Sequence, residues 1–347
     1  MNLIDIRSDT VTQPTKEMLD AIVNAELGDD GRSHDDPTVN KLEKKAAEIT
    51  GKEAALLVPS GVMGNTVSVL SNTNRGDKVI VGRTSHLYNT ENGSWMILGD
   101  LYPITIQENN GVMNLDLIEE EIKKSTTNKP SLICVENTHN NAGGTVLTLQ
   151  EMRAVWDLAK KYNLKVHCDG ARIFNAAIYL DVDVKELCKY TDSIMFCISK
   201  GLSAPIGSLV CGSIEFIDKA RFYRKLLGGT MRQAGIIAAP GIVSLTKMVK
   251  RLKEDHENAS LLGQGLAKIQ GIHLRNKVQT NIVYLDLNEL GITGDQFREK
   301  MYNHGIRTGG GKLPEARLVT HRGITKDNIQ KIIETTRIIV NELRETS

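Results

Sequence analysis

The sequence predicts an α/β protein: a mainly parallel sheet covered by helices on both faces, joined to a smaller α+β unit at the C-terminal end. Three observations carry this reading. From Ala54 onward, short runs rich in Val, Ile and Leu alternate with stretches of helical periodicity, the pattern of parallel strands returned through helical crossovers. One run, 206–211, follows its predecessor after too short a link for a crossover helix, so it is expected as an antiparallel or edge strand. A long, mostly helical stretch over 232–269, with Pro240 inside it, reads as a kinked helix bridging to a second unit.

The elements follow in order. Thr15 is placed to cap a helix over 15–25, and 40–50 reads as a helix closed by Gly51. Strand runs occupy 54–58, 78–81, 132–135, 165–168 and 193–198, while helices fit 64–72, 115–124, 149–162 and 216–227. The C-terminal part has strand signals at 281–285 and 316–320 and helices at 294–303 and 326–344. A chain of 347 residues is long for a single core. The expected division is an N-terminal arm with a large unit over 1–245 and a small unit over 246–347.

Composition narrows the class. Lys and Arg total 43 against 42 Asp and Glu, a formal net charge of +1. No global field therefore draws the chain to nucleic acid or to an anionic membrane. The five cysteines include no CxxC pair, and four lie in apolar, strand-like runs. They read as reduced core thiols of a cytoplasmic protein, not as disulfides or a metal site, and no metal is expected. The N-terminus has no apolar signal-peptide core, and no stretch approaches the length of a membrane helix.

The chemistry lies in where polar residues fall. Ser60 and Gly61, then His86, then Glu136 to His139, then Asp169 and Arg172, then Ser199 and Lys200 each follow an apolar strand. In an open parallel sheet the strand C-terminal ends share one edge, where ligands bind. Ser60, Gly61 and Val62 open a helix after a strand, a phosphate cradle or simply a tight turn. No Walker loop and no GxGxxG dinucleotide fingerprint is present. Asp169 in an apolar setting suits the protonation of a pyridine nitrogen, with Arg172 in reach of the same ring; the plainer reading is a loop ion pair. Lys200, at the end of a strongly apolar strand, would alone be a snorkelling lysine. Beside Asp169 and a phosphate loop it becomes a Schiff-base candidate. His86 could stack on a flat cofactor, or be an ordinary sheet-edge histidine.

At these residues the chain resembles the threonine aldolases of the pyridoxal-phosphate fold-type I superfamily, in the β-eliminating-lyase and aldolase group. The likeness runs over nearly the whole chain through IDIRSDTVT, GKEAALLVPSGVMGN, ENTHNNAGG, HCDGARIFNA, DSIMFCISKGLSAPIGS, GGTMRQAG and RLVTH. It implies an aspartate-aminotransferase-like fold and pyridoxal 5'-phosphate bound through Lys200, with Asp169 and Arg172 at the ring. His86 would lie against the ring, and Ser60, Gly61 and Val62 at the phosphate. Ser8 and Arg317, together with Arg172, would bind the substrate carboxylate, and His139 would lie near the substrate hydroxyl. Lys225 and Arg232 would flank a loop near the phosphate at a subunit interface. A homo-oligomer, a tetramer built as a dimer of dimers, is implied.

The implied reaction is retro-aldol cleavage of a β-hydroxy-α-amino acid to glycine and an aldehyde, with His86 or His139 as the base. Racemisation, β-elimination or transaldol exchange on the same cofactor, and a silent cofactor-binding protein, are the competing readings. The chain departs from the family at 31–34, where Gly-Arg-Ser-His lengthens a loop and leaves out a tyrosine. It departs again at Val62 in place of Thr, at Thr230 in place of a third Gly, and at the bulky Trp95.

Overall fold

The computed structural model describes residues 3–31, 34–125 and 128–345. Arg32 and Ser33 of the divergent loop lie outside the described residues.

Seven strands form the main sheet: β1 (Ala54–Val58), β2 (Lys78–Gly82), β3 (Tyr102–Ile106), β4 (Pro130–Glu136), β5 (Lys165–Asp169), β6 (Ser193–Cys197) and β7 (Ser208–Gly212). Their spatial order is β1-β7-β6-β5-β4-β2-β3. Neighbours are parallel except where β7 runs against β1 and β6. The expected antiparallel strand is therefore present, but it is an inner strand, because β1 pairs along its far side. The two edges are β1 and β3, and β3 was not expected from the sequence. Its exposed Tyr102 and embedded Pro103 hide the apolar pattern, and Pro is tolerated in a strand that needs few ladder donors. Every residue of β6 and β7 is buried, as expected where helices cover both faces.

Helix starts are set by caps more than by apolar periodicity. Asp36 accepts the N–H groups of Thr38 and Val39 at 3.1 and 3.0 Å. With Pro37 as first residue, that helix runs Pro37–Thr50, three residues earlier than its periodicity indicates. Gly51 closes it in the left-handed region, at φ 68°. Ser60 caps the Gly61–Asn72 helix by accepting the Met63 N–H at 3.2 Å. This helix lies so close to the sheet that a Cβ on Gly64 would come within 2.6 Å of Met195 Cγ. The long stretch after Arg232 divides into helices Gly235–Val243 and Leu252–Leu266, with a π-helical turn at Ser244–Met248. Pro240 sits inside the first helix without ending it. The break follows the π turn, a wide turn in which the regular backbone ladder is lost.

A second sheet pairs His273–Leu274 and Glu315–Val319 on either side of Ile282–Asp286, all antiparallel. Its core joins Leu262, Val283, Phe297 and Ile332 with Ile4 and Ile6 of the N-terminal arm. Ile4–Asp5 also pairs in parallel with Ile306–Arg307, so the arm is stitched to the C-terminal part and passes on towards the main sheet.

Trp95 is accommodated in the core. It is fully buried with Val69, Val79, Leu87 and Leu132, and its indole N–H donates to the Leu87 carbonyl at 3.1 Å. Trp95→Ala is expected to destabilise the fold by about 3–5 kcal/mol, read as a lowered urea midpoint.

Candidate active site

Because β1, β2, β4, β5 and β6 are mutually parallel, their C-terminal ends lie on one edge, and antiparallel β7 begins there. A cavity of about 400 Å³ opens at that edge, lined by Ser60, Gly61, Val62, His86, Asp169 and Lys200, with Glu91, Ser199 and Ile206 beside them. Six of the site residues expected from the sequence thus meet around one space. Among the described residues, Lys200 Nζ has no hydrogen-bond or ion-pair partner. The N–H groups of Gly61 and Val62 open a helix and find no acceptor among the described residues.

Asp169 is buried and held by donors. Its Oδ2 accepts from Asn65 Nδ2 at 2.9 Å and its Oδ1 from the Ala171 N–H at 3.1 Å. The same Asn65 Nδ2 donates to Glu91 Oε1 at 2.7 Å, and that oxygen lies 2.9 Å from His86 Nδ1. Burial disfavours a charged imidazole at His86. The Glu91 hydrogen bond and the charges of Asp169, Glu91 and Glu136 outweigh it and raise the pKa. Burial, with Asp169 nearby, raises that of Glu91. His86, Glu91 and Asp169 bring possible ligand atoms within 4.8 Å of one another. His86 Nδ1, Glu91 Oε1 and Asp169 Oδ2 are already engaged with one another or with Asn65, whereas Glu91 Oε2 has no hydrogen-bond partner among the described residues.

A second polar group surrounds the arginines. Arg172 makes a two-pronged pair with Asp9, Nε to Oδ2 at 2.7 Å and Nη2 to Oδ1 at 2.8 Å. Burial opposes the Asp9 charge, but Arg172 outweighs it and holds the carboxyl far below its usual range. Asn140 Oδ1 accepts from both Arg172 Nη1, at 3.2 Å, and Arg317 Nη1, at 2.5 Å. Arg317 has no carboxylate partner among the described residues. Burial, then the neighbouring Arg172 charge, lowers its pKa. A cation in that position is left in need of an anion. Glu136 links the two groups: it accepts the His86 N–H through Oε2 and the Asn140 N–H through Oε1, both at 2.7 Å.

The other expected residues stand apart from the cavity wall. Ser8 caps the short turn Asp9–Val11, accepting the Thr10 N–H. Arg317 lines a separate cavity of about 320 Å³ with Tyr284, Lys312 and the Gly309–Gly311 loop. Lys225 is exposed near the end of the Ile214–Leu226 helix, and the exposed Arg232 pairs with Asp29 at 2.7 Å. His139 is buried with both ring nitrogens engaged: Nε2 meets Glu108 Oε1 at 2.8 Å, and in the neutral form Nδ1 accepts the Ala142 N–H at 3.2 Å, a contact given up when the ring is protonated. Asp9, Asn65, Glu91 and Asn140 were not singled out as site residues, and Glu136 was placed at the ligand edge without a role. Asp9 and Asn140 lie inside the RSDT and NTHNN motifs, which offered a signal. Asn65 closes the GKEAALLVPSGVMGN motif, but its place inside a helix hid its role.

The His139–Glu108 pair gives a pH-dependent stability term. The hydrogen bond to Glu108 and the Glu136 and Glu108 charges overcome burial and raise the His139 pKa above 6.5. His139 and Thr84 likewise overcome burial and lower that of Glu108 below 4.5. The glutamate's share is present above 4.5 and is lost as pH falls through its depressed value. The histidine's share is complete below 6.5 and is lost as pH rises through its raised value. Glu108→Gln is therefore expected to cost about 1–3 kcal/mol. The deficit should be largest between pH 4.5 and 6.5 and shrink on either side, read from urea midpoints across pH.

Comparison with known proteins places these features. Residues 5–288 match the beta-eliminating lyase family model. Low-specificity L-threonine aldolase 1 of Arabidopsis thaliana is 42% identical over 337 residues, covering 95% of this chain and 94% of its own. The low specificity L-threonine aldolase of Escherichia coli K12 is 39% identical over 333 residues, covering 95% and 97%. The solved structure of Leishmania major threonine aldolase superposes with a TM-score of 0.82 at 18% identity, over 97% of this chain and 99% of that one, so the fold is the pyridoxal-phosphate fold type I of that group. With the family model and close relatives both spanning most of its length, the chain belongs to the beta-eliminating lyase family, in its threonine aldolase branch.

Proposed function

We propose that this chain is a pyridoxal-phosphate-dependent aldehyde-lyase that cleaves L-threonine, L-allo-threonine and related β-hydroxy-α-amino acids to glycine and an aldehyde. The observation that carries the reading is the 400 Å³ cavity. It brings together a lysine with no ionic partner among the described residues, a buried carboxylate held by donors, and open helix N–H groups. These features fit the cofactor's aldehyde, ring nitrogen and phosphate in turn. A Cβ at Gly61 would lie 3.0 Å from Cys197 Sγ, so the tight turn suits glycine, and its N–H is available to a phosphate. Loss of the threonine hydroxyl at Val62 removes one contact and keeps these donors.

When bound, the cofactor supplies an electron sink for the bonds at the amino acid's Cα. Lys200 would hold its aldehyde carbon, Asp169 its ring nitrogen, and Ser60, Gly61 and Val62 its phosphate, with His86 beside the ring. Arg317, without a carboxylate partner among the described residues, would take the substrate carboxylate, with Arg172 joined to it through Asn140 and Ser8 as a further contact. Asn140 and Glu136 fix the spacing between this clamp and His86. His86 Nδ1 is tied to Glu91, leaving Nε2 as the nitrogen that can take the proton from the substrate's β-hydroxyl. His139, with both nitrogens engaged, supports this arrangement through Glu136 and Glu108.

Lys225 and Arg232 do not line the cavity of their own chain. Their contribution to the phosphate requires a second copy, which accords with a homo-oligomer, a tetramer by resemblance. Exposed Val62 and Ile206 at the cavity are in keeping with cover by another copy. Five buried free cysteines agree with a reducing cytoplasm. No helix among the described residues is long and apolar enough to cross a membrane. The division into a larger unit up to residue 245 and a smaller one beyond remains part of this reading.

Incubation of purified protein and cofactor with L-threonine and L-allo-threonine should release glycine and acetaldehyde in equal amounts. Release of neither from both substrates contradicts the assignment. Arg317→Leu should lower kcat/KM by about 2–5 kcal/mol, roughly thirtyfold to several-thousandfold, while the bound cofactor's absorbance persists.

A further inference from the structure

The Asp169 carboxylate lies at one end of a chain of buried polar side chains that runs beneath the cavity. Asn65 is fully buried on the Gly61–Asn72 helix. Its Nδ2 donates to Asp169 and to Glu91, at 2.9 and 2.7 Å. That orientation is forced, since the opposite one would aim an amide oxygen at two carboxylates. Asn65 Oδ1 must then accept, and its partner at 3.2 Å is His167 Nε2. Burial holds the His167 pKa down to about 4, so the ring is neutral and carries its proton on Nε2. His167 Nδ1 is left as an acceptor, and the Ser193 hydroxyl lies 2.9 Å away. Ser193 Oγ in turn accepts from Asn72 Nδ2 at 2.8 Å.

Every donor therefore points one way: Asn72 to Ser193, Ser193 to His167, His167 to Asn65, and Asn65 to Asp169 and Glu91. The placement follows from the fold. His167 and Asp169 stand two apart on β5 and share a face. Ser193 is the direct partner of His167 across the β5–β6 pair. Asn65 and Asn72 are two turns apart on the helix above. Aligned donors in a dry interior polarise one another, and their combined effect strengthens the hold on the terminal carboxylate.

We propose that Asn65 and His167 are positioning residues that hold the Asp169 carboxylate in place through this one-way donor chain, aimed at the ring nitrogen of the bound cofactor so that the nitrogen keeps its proton. The proposal rests on the reading of the cavity as a pyridoxal-phosphate site. Asn65 also couples Asp169 to the Glu91–His86 pair, so one amide serves both the ring nitrogen and the histidine.

The test uses holoenzyme loaded with pyridoxal phosphate labelled at the ring nitrogen, observed by nitrogen NMR. Wild type should show a protonated ring nitrogen. Asn65→Leu and His167→Leu should move its signal towards the unprotonated position and weaken cofactor binding about tenfold, measured by fluorescence titration of apoenzyme. His167→Gln can still donate to Asn65 and accept from Ser193, and should restore the wild-type signal. A signal unchanged in both leucine variants overturns the proposal. So does a loss of cofactor binding in His167→Leu that His167→Gln fails to restore, which would mark the chain as structural only. Wild-type protein that binds no pyridoxal phosphate would overturn the reading of the cavity itself, and this inference with it.

Discussion

Buried carboxylates at the edge of a parallel sheet need donors, and much of this site is arranged to supply them. Asp9, Glu91, Glu136 and Asp169 are all buried, where an unpaired charge is costly. Asp9 is answered by Arg172 and Asn281, and Glu136 by two backbone N–H groups. Asp169 and Glu91 share the amide of Asn65. These pairings tie the N-terminal arm, the strand ends and the C-terminal part into one construction. Arg317 stands apart: among the described residues it has no carboxylate partner and bonds instead to Asn140.

The sheet topology explains why distant residues meet. Six parallel strands deliver their C-terminal ends to one edge, and β7, running against them, contributes its beginning. The N-terminal arm enters through pairing of Ile4–Asp5 with Ile306–Arg307, which carries Asp9 to within reach of Arg172. An arm anchored to the C-terminal part while holding a residue against the main sheet makes the relative placement of Arg172 and Arg317 a property of the whole chain.

Much of this was readable in the sequence, because parallel strands buried on both faces are apolar runs and the groups following them share an edge by topology. The strands β1, β2, β4, β5 and β6 and the residues Ser60, His86, Asp169 and Lys200 were found on that argument. The reading faltered where caps or tertiary pairing decide. The Pro37–Thr50 helix begins at an Asp36 cap, and β3 is an edge whose apolar signal is diluted by Tyr102 and Pro103. The break after Ser244–Met248 follows a π turn that periodicity does not mark. The partners of the site residues were the least accessible. Asn65 and Asp169 are 104 residues apart and Asp9 and Arg172 are 163 apart, and a single sequence carries no local sign of either contact.

The account turns on Lys200 as the residue that joins the cofactor. Borohydride reduction of the holoenzyme, followed by peptide mapping in a mass spectrometer, tests this directly. The account predicts a reduced pyridoxyl group on the peptide containing Lys200, and its absence from Lys200→Ala. A group fixed to another lysine, or one still attached in Lys200→Ala, would contradict it.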